Sequence, residues 1–391
     1  MKAEWTINTL GDTCEMYQPK TISSKEMVQD GAYPVFGANG MIGRYDQYNH
    51  EEPQLLITCR GATCGSVNIS EPFSWITGNA MVVRPKQVEL DIRFLEYLFR
   101  GGIDISQAIT GAAQPQITRT NLSPLKISYP TSIIEQQRIV AILDEAFEAI
   151  AAARANAEQN RLNARALFES YLQSVFSQRG EGWIETTIAA ATGGVFTGPF
   201  GSLLHKSDYI ENGIPLVNPA HITNVGIEPD LRKTVSKATA QRLSSYIMRT
   251  GDIVIGRRGE MGRCAIVTDV EDGWLCGTGS FVIKPSDRCD ARYLVRLLRS
   301  ESCKNQLEKI AGGAVMPNLS NTDLSNFSIM LPPIDMQRSA LDKIDTMAEE
   351  TQRLESLYQR KIVALDELKQ SLLQQAFSGQ LDTTRQEVLT V

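Results

Sequence analysis

The sequence predicts an α+β protein: two mixed α/β domains in a pseudo-twofold tandem repeat, separated by two long helices that form an antiparallel coiled coil. Three observations lead there. The same order of short phrases occurs twice, offset by about 200 positions, the mark of a duplicated unit. Each copy closes on proline and passes into about 45 residues without glycine or proline, far longer than an average helix. Apolar residues in those stretches return every three or four positions, the spacing of a seam between helices.

Each half opens on an aromatic-led phrase, Trp5-Thr6-Ile7 and Trp183-Ile184-Glu185. A Gly-x-Pro turn is expected next, at Gly31-Ala32-Tyr33-Pro34 and at Gly213-Ile214-Pro215. Short apolar runs then lead into Arg-Gly: Leu55-Leu56-Ile57-Thr58-Cys59-Arg60-Gly61, and Asp252-Ile253-Val254-Ile255-Gly256-Arg257-Arg258-Gly259. Bounded by turn residues, such runs read as buried strands. A second strand ends in a basic-Pro pair, Val82-Val83-Arg84-Pro85 and Val282-Ile283-Lys284-Pro285. Asp91-Ile92-Arg93-Phe94-Leu95 and Asp290-Ala291-Arg292-Tyr293-Leu294 each read as the opening of a short amphipathic helix. Gly/Ala-rich loops follow, Gly111-Ala112-Ala113-Gln114-Pro115 and Gly312-Gly313-Ala314-Val315-Met316-Pro317, and then a last short strand closed by Pro130 and by Pro332-Pro333.

Beyond those prolines the long helices begin, giving boundaries at 1–132 and 179–332 for the domains, 133–178 and 333–380 for the helices, and 381–391 for a tail. The expected seam of the first helix runs through Ile139, Ile142, Ala146, Ala149 and Ala153, then Asn156, Asn160 and Asn163, then Leu167, Tyr171 and Val175. In the second it runs through Leu354, Tyr358, Leu365, Leu368 and Leu372, with Lys361 as a polar interruption. Gly379 suits a helix C-cap.

Composition narrows the class without deciding it. The 391 residues carry a net charge of −6, but residues 178–331 hold 17 basic against 16 acidic side chains. Much of the acidity lies in the helices, so a local basic face on either domain is compatible with the total. Seven cysteines without a Cys-x-x-Cys pair read as reduced thiols, and no apolar run reaches the ~18 residues of a membrane span. With no secretory signal at Met1-Lys2-Ala3-Glu4-Trp5, a cytoplasmic protein without membrane contact is expected.

Pro130, Gln136-Gln137-Arg138-Ile139-Val140 and Leu143-Asp144, together with Leu368-Lys369-Gln370-Ser371-Leu372-Leu373-Gln374-Gln375-Ala376-Phe377-Ser378-Gly379, resemble the helical regions of specificity subunits of Type I restriction–modification systems. Tyr33-Pro34-Val35-Phe36-Gly37-Ala38-Asn39-Gly40 and Gly61-Ala62-Thr63-Cys64-Gly65-Ser66-Val67 resemble one version of that family's target-recognition domain. Gly198-Pro199-Phe200-Gly201-Ser202 and Gly251-Asp252-Ile253-Val254-Ile255 resemble another. The likeness spans residues 5 to about 380. It implies a non-catalytic subunit in which each domain reads one half of a split site on double-stranded DNA. Two methyltransferase subunits would dock on the helices and use S-adenosylmethionine on adenine, and restriction/translocase subunits would use ATP and magnesium. The chain itself would bind no cofactor.

The residues agree with a non-catalytic chain. His50, His205 and His221 have no partner at metal-ligand spacing, and Cys59 and Cys64 have no nearby histidine. Asn218-Pro219-Ala220-His221 resembles the amino-methyltransferase motif but lacks its second proline and its stacking ring. Pro229-Asp230 is far in sequence from Glu367-Leu368-Lys369, and the glycines at 193–198 lack the Gly-Lys-Ser/Thr ending of a phosphate loop. One alternative stays open at this stage, a coiled-coil scaffold whose globular domains bind proteins.

Arginine forks guanine, Asn and Gln fork adenine, and Ser, Thr and Lys mostly hold phosphates. On that chemistry the expected DNA-binding residues are Arg60, Gln114, Gln116, Thr118, Arg119 and Asn121 in the first domain. Arg257, Arg258, Arg263, Asn318 and Asn321 are their counterparts in the second. Arg60 and Arg258 could equally brace the fold, and Gly61, Gly65, Gly259 and Gly262 read as turn formers. No metal site is expected.

Helix length generates a test. About 45 residues extend roughly 67 Å at ~1.5 Å per residue, so paired helices can act as a ruler between the half-sites. Matched four-residue insertions near Asn160 and Lys361 add roughly 6 Å, comparable to two base-pair rises of ~3.4 Å. The methylated motif of such a mutant is expected to have a spacer longer by one or two base pairs, with both half-sites unchanged. An unchanged spacer in a mutant that still methylates would contradict the ruler.

Overall fold

The computed structural model describes residues 4–37, 39–86, 90–111, 113–312 and 317–383. Ala38, Ala112, the stretch 313–316 and most of the expected tail, 384–391, lie outside the described residues. The chain divides into two compact units, residues 1–159 with 358–391 and residues 160–357.

In the first unit, Trp5–Thr9 pairs antiparallel with Lys126–Pro130, so the first strand of the domain meets its last. A four-stranded antiparallel sheet follows the order Cys14–Tyr17, Ala80–Pro85, Leu55–Thr58, Val67–Ile69. Leu55–Thr58 is buried along its whole length, which is why its sequence is a continuous apolar run and not an alternating one. A smaller sheet sets Tyr33–Gly37 between Gly40–Tyr45 and Trp75–Ile76, the last pairing being parallel.

The second unit repeats this plan. Ile184–Thr187 pairs with Ser328–Leu331. The order Val195–Thr197, Ser280–Ile283, Ile253–Gly256, Cys264–Ile266 makes the four-stranded sheet. Ile214–Val217 again takes a parallel partner, Leu275–Cys276. The Gly-x-Pro phrases depart from expectation, because Pro34 and Pro215 sit second in their strands and make no turn. Proline is tolerated near a strand start, where its missing N–H costs little. At Gly31 the chains press together, and a Cβ would lie 2.6 Å from the Tyr45 backbone nitrogen.

Asp91 caps the helix Ile92–Tyr97 by accepting from the amides of Arg93 and Phe94, and Asp290 caps Ala291–Arg299 through Arg292. The long helices run Ile133–Ser177 and Ile334–Phe377. In the first unit, Ile139, Val140 and Leu143 share a core with Leu373 and Ala376. Phe147 lies under the Lys369 ammonium, and Arg154 pairs with Asp366 at 3.2 Å. Numbers rise along one helix as they fall along the other, so the packing is antiparallel. In the second unit, Val175 and Phe176 meet the core that holds Leu341 and Ile344.

The expected seam holds near the ends of the first helix, where Ile139, Ala146 and Val175 are buried, and is turned in its middle. Leu143, Ile150, Ala157 and Ala164 are buried, whereas Ala149, Asn156, Asn160 and Asn163 are exposed and Leu167 is 64% exposed. Alanine fits either side of a seam, so the Ala-rich run conceals its rotation, and the seven-residue step from Ile150 to Ala164 reveals it. In the second helix Lys361 points to water while Ile362 beside it is buried, and Leu368 is 46% exposed.

One side chain fastens each long helix to its domain. Gln136 is fully buried; its Oε1 accepts from the Asp91 amide at 2.8 Å and its Nε2 donates to the Pro130 carbonyl at 2.8 Å. Gln337, equally buried, accepts from the Asp290 amide at 2.8 Å and donates to the carbonyls of Pro332 at 2.8 Å and Arg288 at 2.9 Å. Eight residues on, Asp144 pairs with Arg93 at 2.7 Å and Asp345 with Arg296 at 3.1 Å. Replacing Gln136 or Gln337 by Leu strands at least one buried donor and one acceptor, a loss of about 2–4 kcal/mol. The melting temperature of the affected unit is expected to fall by about 5–10 °C. Gln137→Leu on the exposed neighbour should stay within about 0.5 kcal/mol of wild type by urea unfolding.

Candidate nucleic-acid interface

Both units carry the same small ladder beyond the end of their central buried strand. In the first, Arg60 faces Gln116, and Gln116 also pairs with Thr110. The Gly61 amide donates to the Pro115 carbonyl at 3.1 Å and the Ile117 amide to the Cys59 carbonyl at 2.9 Å. These bonds flank the Arg60–Gln116 pair, so it is a non-hydrogen-bonded pair, the arrangement that brings facing side chains closest. Both side chains are exposed. Among the described residues neither has a side-chain hydrogen-bond partner within the protein, which leaves an arginine fork and an amide side by side in water.

In the second unit Arg258 faces Asn318, which also pairs with Gly312. Here the polar groups engage one another. Asn318 Oδ1 accepts from Nε of Arg257 and from Nε of Arg258, both at 3.2 Å. The Arg257 guanidinium lies 5.3 Å from the centre of the Phe281 ring. Burial and the adjacent Arg258 push the Arg257 guanidinium below its ordinary pKa. Two cations are thus held together by one amide oxygen, an arrangement suited to an anionic partner. Gly61 and Gly259, at φ +88° and +81°, turn the chain after each arginine through a conformation that favours glycine.

The remaining expected residues divide by what they touch. Gln114 and Arg119 are exposed beside the first ladder. Thr118 caps the turn Arg119–Leu122 by accepting from the Asn121 amide, and Asn121 donates to the Ala108 carbonyl and the Thr110 hydroxyl. Asn321 donates to the Val195 carbonyl at 2.9 Å and to Thr197 Oγ1 at 3.3 Å. Arg263 pairs with Glu260 at 2.7 Å and reaches the Pro219 carbonyl. These side chains hold loops in place, a distinction that residue type alone cannot make.

Register also reveals equivalences that spacing hid. Gln116 corresponds to Asn318, and the caps Thr118 and Ser320 follow each by two residues. Asn39 is not among the expected binding residues, and Asn218 enters only through its methyltransferase-like phrase: Asn39 accepts from Thr58 at 3.1 Å, and Asn218 accepts from the Gly279 amide at 3.3 Å. The methyltransferase-like phrase at Asn218 is therefore a turn clamp, with His221 Nδ1 bonded to the Leu216 carbonyl at 2.9 Å.

Among the described residues no group of His, Cys, Asp and Glu is arranged to hold a metal. Burial pushes the Cys14 thiol up to about 11 and those of Cys264, Cys276, Cys289 and Cys303 up to about 12, so these sulfurs are poor nucleophiles. No helix among the described residues is long and apolar enough to cross a membrane.

Residues 2–162 and 193–362 match the family described as Type I restriction modification DNA specificity domain. The chain is 22% identical over 378 residues to the Type I restriction enzyme MjaVIII specificity subunit of Methanocaldococcus jannaschii, covering 88% of this chain and 86% of that one. It is 31% identical to the EcoprrI specificity subunit of Escherichia coli over 142 residues, 35% of this chain and 34% of the relative. Its fold is similar to that of the HsdS subunit from Thermoanaerobacter tengcongensis, with a TM-score of 0.65 at 18% identity, over 96% of this chain and 97% of that one. A chain from a structure of complex assembly in the type I R-M system gives 0.72 at 18% identity, over 97% of this chain and all of the other. Matched in both halves, the chain belongs to the Type I restriction–modification DNA specificity family, and its role there is that of the subunit supplying DNA sequence specificity.

Proposed function

We propose that this chain reads a bipartite, asymmetric DNA site and directs methyltransferase and restriction subunits to it. Residues 1–132 and 179–332 each read one half-site, 133–178 and 333–380 are the spacer helices, and 381–391 form a tail. The observation that carries this reading is the ladder present in both domains with different side chains, Arg60 with Gln116 in one and Arg257, Arg258 and Asn318 in the other. Two frames of one design with different donors and acceptors suit two different base sequences. Gln114 and Arg119 extend the first reading surface, while Thr118, Asn121, Arg263 and Asn321 shape the loops.

Two methyltransferase subunits dock on the long helices. Ile134, Leu162, Leu167, Met336, Leu357, Val363 and Leu368 support this, because they are large apolar side chains left exposed there. Adenine methylation with S-adenosylmethionine, and ATP- and magnesium-dependent translocation and cleavage, belong to the partner subunits. The complex works in the cytoplasm, where its DNA is. A protein-binding scaffold, the alternative, is not favoured for a chain of this family.

The test is the methylated motif produced by the chain with its methyltransferase subunits. Arg60→Ala is expected to relax one half-site and Arg258→Ala the other, each costing about 1–3 kcal/mol of discrimination. If both substitutions altered the same half-site, the division of labour would be wrong.

A further inference from the structure

A phenylalanine is left exposed on a loop anchored to the same turn as Arg257 in the second domain. Gly198 and Pro199 are buried, but Phe200, the next residue, is 60% exposed. Leaving such a ring in solvent forgoes the gain from burying it, so the loop must be kept from folding it inward. Its base supplies that constraint. The Gly198 amide donates to the Ser280 carbonyl at 3.1 Å, and a Cβ at Gly198 would lie 2.0 Å from the Gly277 carbonyl oxygen. Beyond the ring, Gly201 turns the chain at φ +61° with nothing within 4 Å of where its Cβ would be.

The same turn that anchors this loop also anchors the arginines. Between Gly277 and Ser280, the Gly279 carbonyl accepts from the Arg257 amide at 3.0 Å. Thr197, three residues before the ring, pairs in the sheet with Phe281, on which the Arg257 guanidinium stacks. Apolar side chains flanked by cations are a known means of entering a base stack: the cations hold the phosphates while the wedge unstacks a step and kinks the duplex. In the first domain the strand Cys14–Tyr17 leads instead into Gln18-Pro19-Lys20-Thr21, where Gln18 bonds the Gly78 carbonyl and no ring is offered.

We propose that Phe200 is an apolar wedge that enters the base stack at the half-site read by the second domain, so that the ease of deforming that step is part of what is recognised. The proposal rests on the DNA-reading function above and adds a mode of readout found in one domain only.

The test uses the chain assembled with its methyltransferase subunits, and duplexes carrying the motif that the wild-type complex methylates. 2-Aminopurine replaces each adenine, and pyrrolocytosine each cytosine, one at a time, leaving out the adenines that become methylated. With wild type, fluorescence is expected to rise severalfold at one step of one half-site, the half altered by Arg258→Ala. With Phe200→Ala that rise disappears and specific affinity drops about tenfold, as for one mismatched base pair, while affinity for a scrambled duplex is unchanged. Phe200→Leu, still an apolar wedge, restores most of both. If Phe200→Ala binds the motif as tightly as wild type with the same fluorescence, the wedge is refuted and the reading function stands. If Phe200→Ala instead loses the methyltransferase subunits on size-exclusion chromatography, the ring is a protein contact and the proposal fails. If the wild-type complex shows no preference for the motif over the scrambled duplex, the reading function itself falls.

Discussion

A buried carboxamide must satisfy a donor and an acceptor at once, and the partners it finds define the elements it joins. Gln136 and Gln337 each find an amide at the cap of a short domain helix and a carbonyl at the end of the closing strand. Two elements of a domain, the short helix and the closing strand, thereby meet at the first turn of a long helix. Because the carboxamides themselves are fully buried, losing either partner leaves an unpaired polar group, which makes the joint costly to open. The exposed pairs Arg93–Asp144 and Arg296–Asp345 lie eight residues further along and add little energy, since charges in contact with water attract weakly. The glutamines set where each helix leaves its domain, and the core residues around them follow.

The reading surfaces follow from a second constraint. Each central buried strand must end, and beyond its end the chain continues as a short ladder whose side chains face solvent. The sheet supplies rigidity and the ladder presents the polar groups, so side chains can change without disturbing the core. In the first domain Arg60 and Gln116 remain free to meet a partner; in the second, Asn318 holds two guanidinium groups in one place. The frames are alike and the chemistry differs, as the proposed reading of two unlike half-sites requires.

Much of this was legible because duplication shows each signal twice. The short helices that follow Asp91 and Asp290, the strands entering Arg-Gly, and the starts of both long helices at 133 and 334 all lie where the repeat places them. The middle of the first helix's seam was not legible, because alanine does not record which face is buried. Nor could residue type separate Gln116, which faces water, from Asn121 and Asn321, whose amides are spent on neighbouring loops. That distinction depends on cross-strand register, and the register is set by contacts between residues far apart in sequence. The Gly-x-Pro phrases misled for a related reason: proline suits extended backbone as well as turns, and only the neighbouring strand decides.

Two separate surfaces of one chain are proposed to read two separate stretches of base pairs. Dimethyl sulfate interference measures this directly, because methylation of guanine N7 blocks the major-groove edge that arginine reads. On duplexes bound by the chain with its methyltransferase subunits, the account predicts interference confined to two patches of unlike sequence, with tolerated positions between them. A single unbroken patch, or interference spread evenly along the duplex, would contradict it.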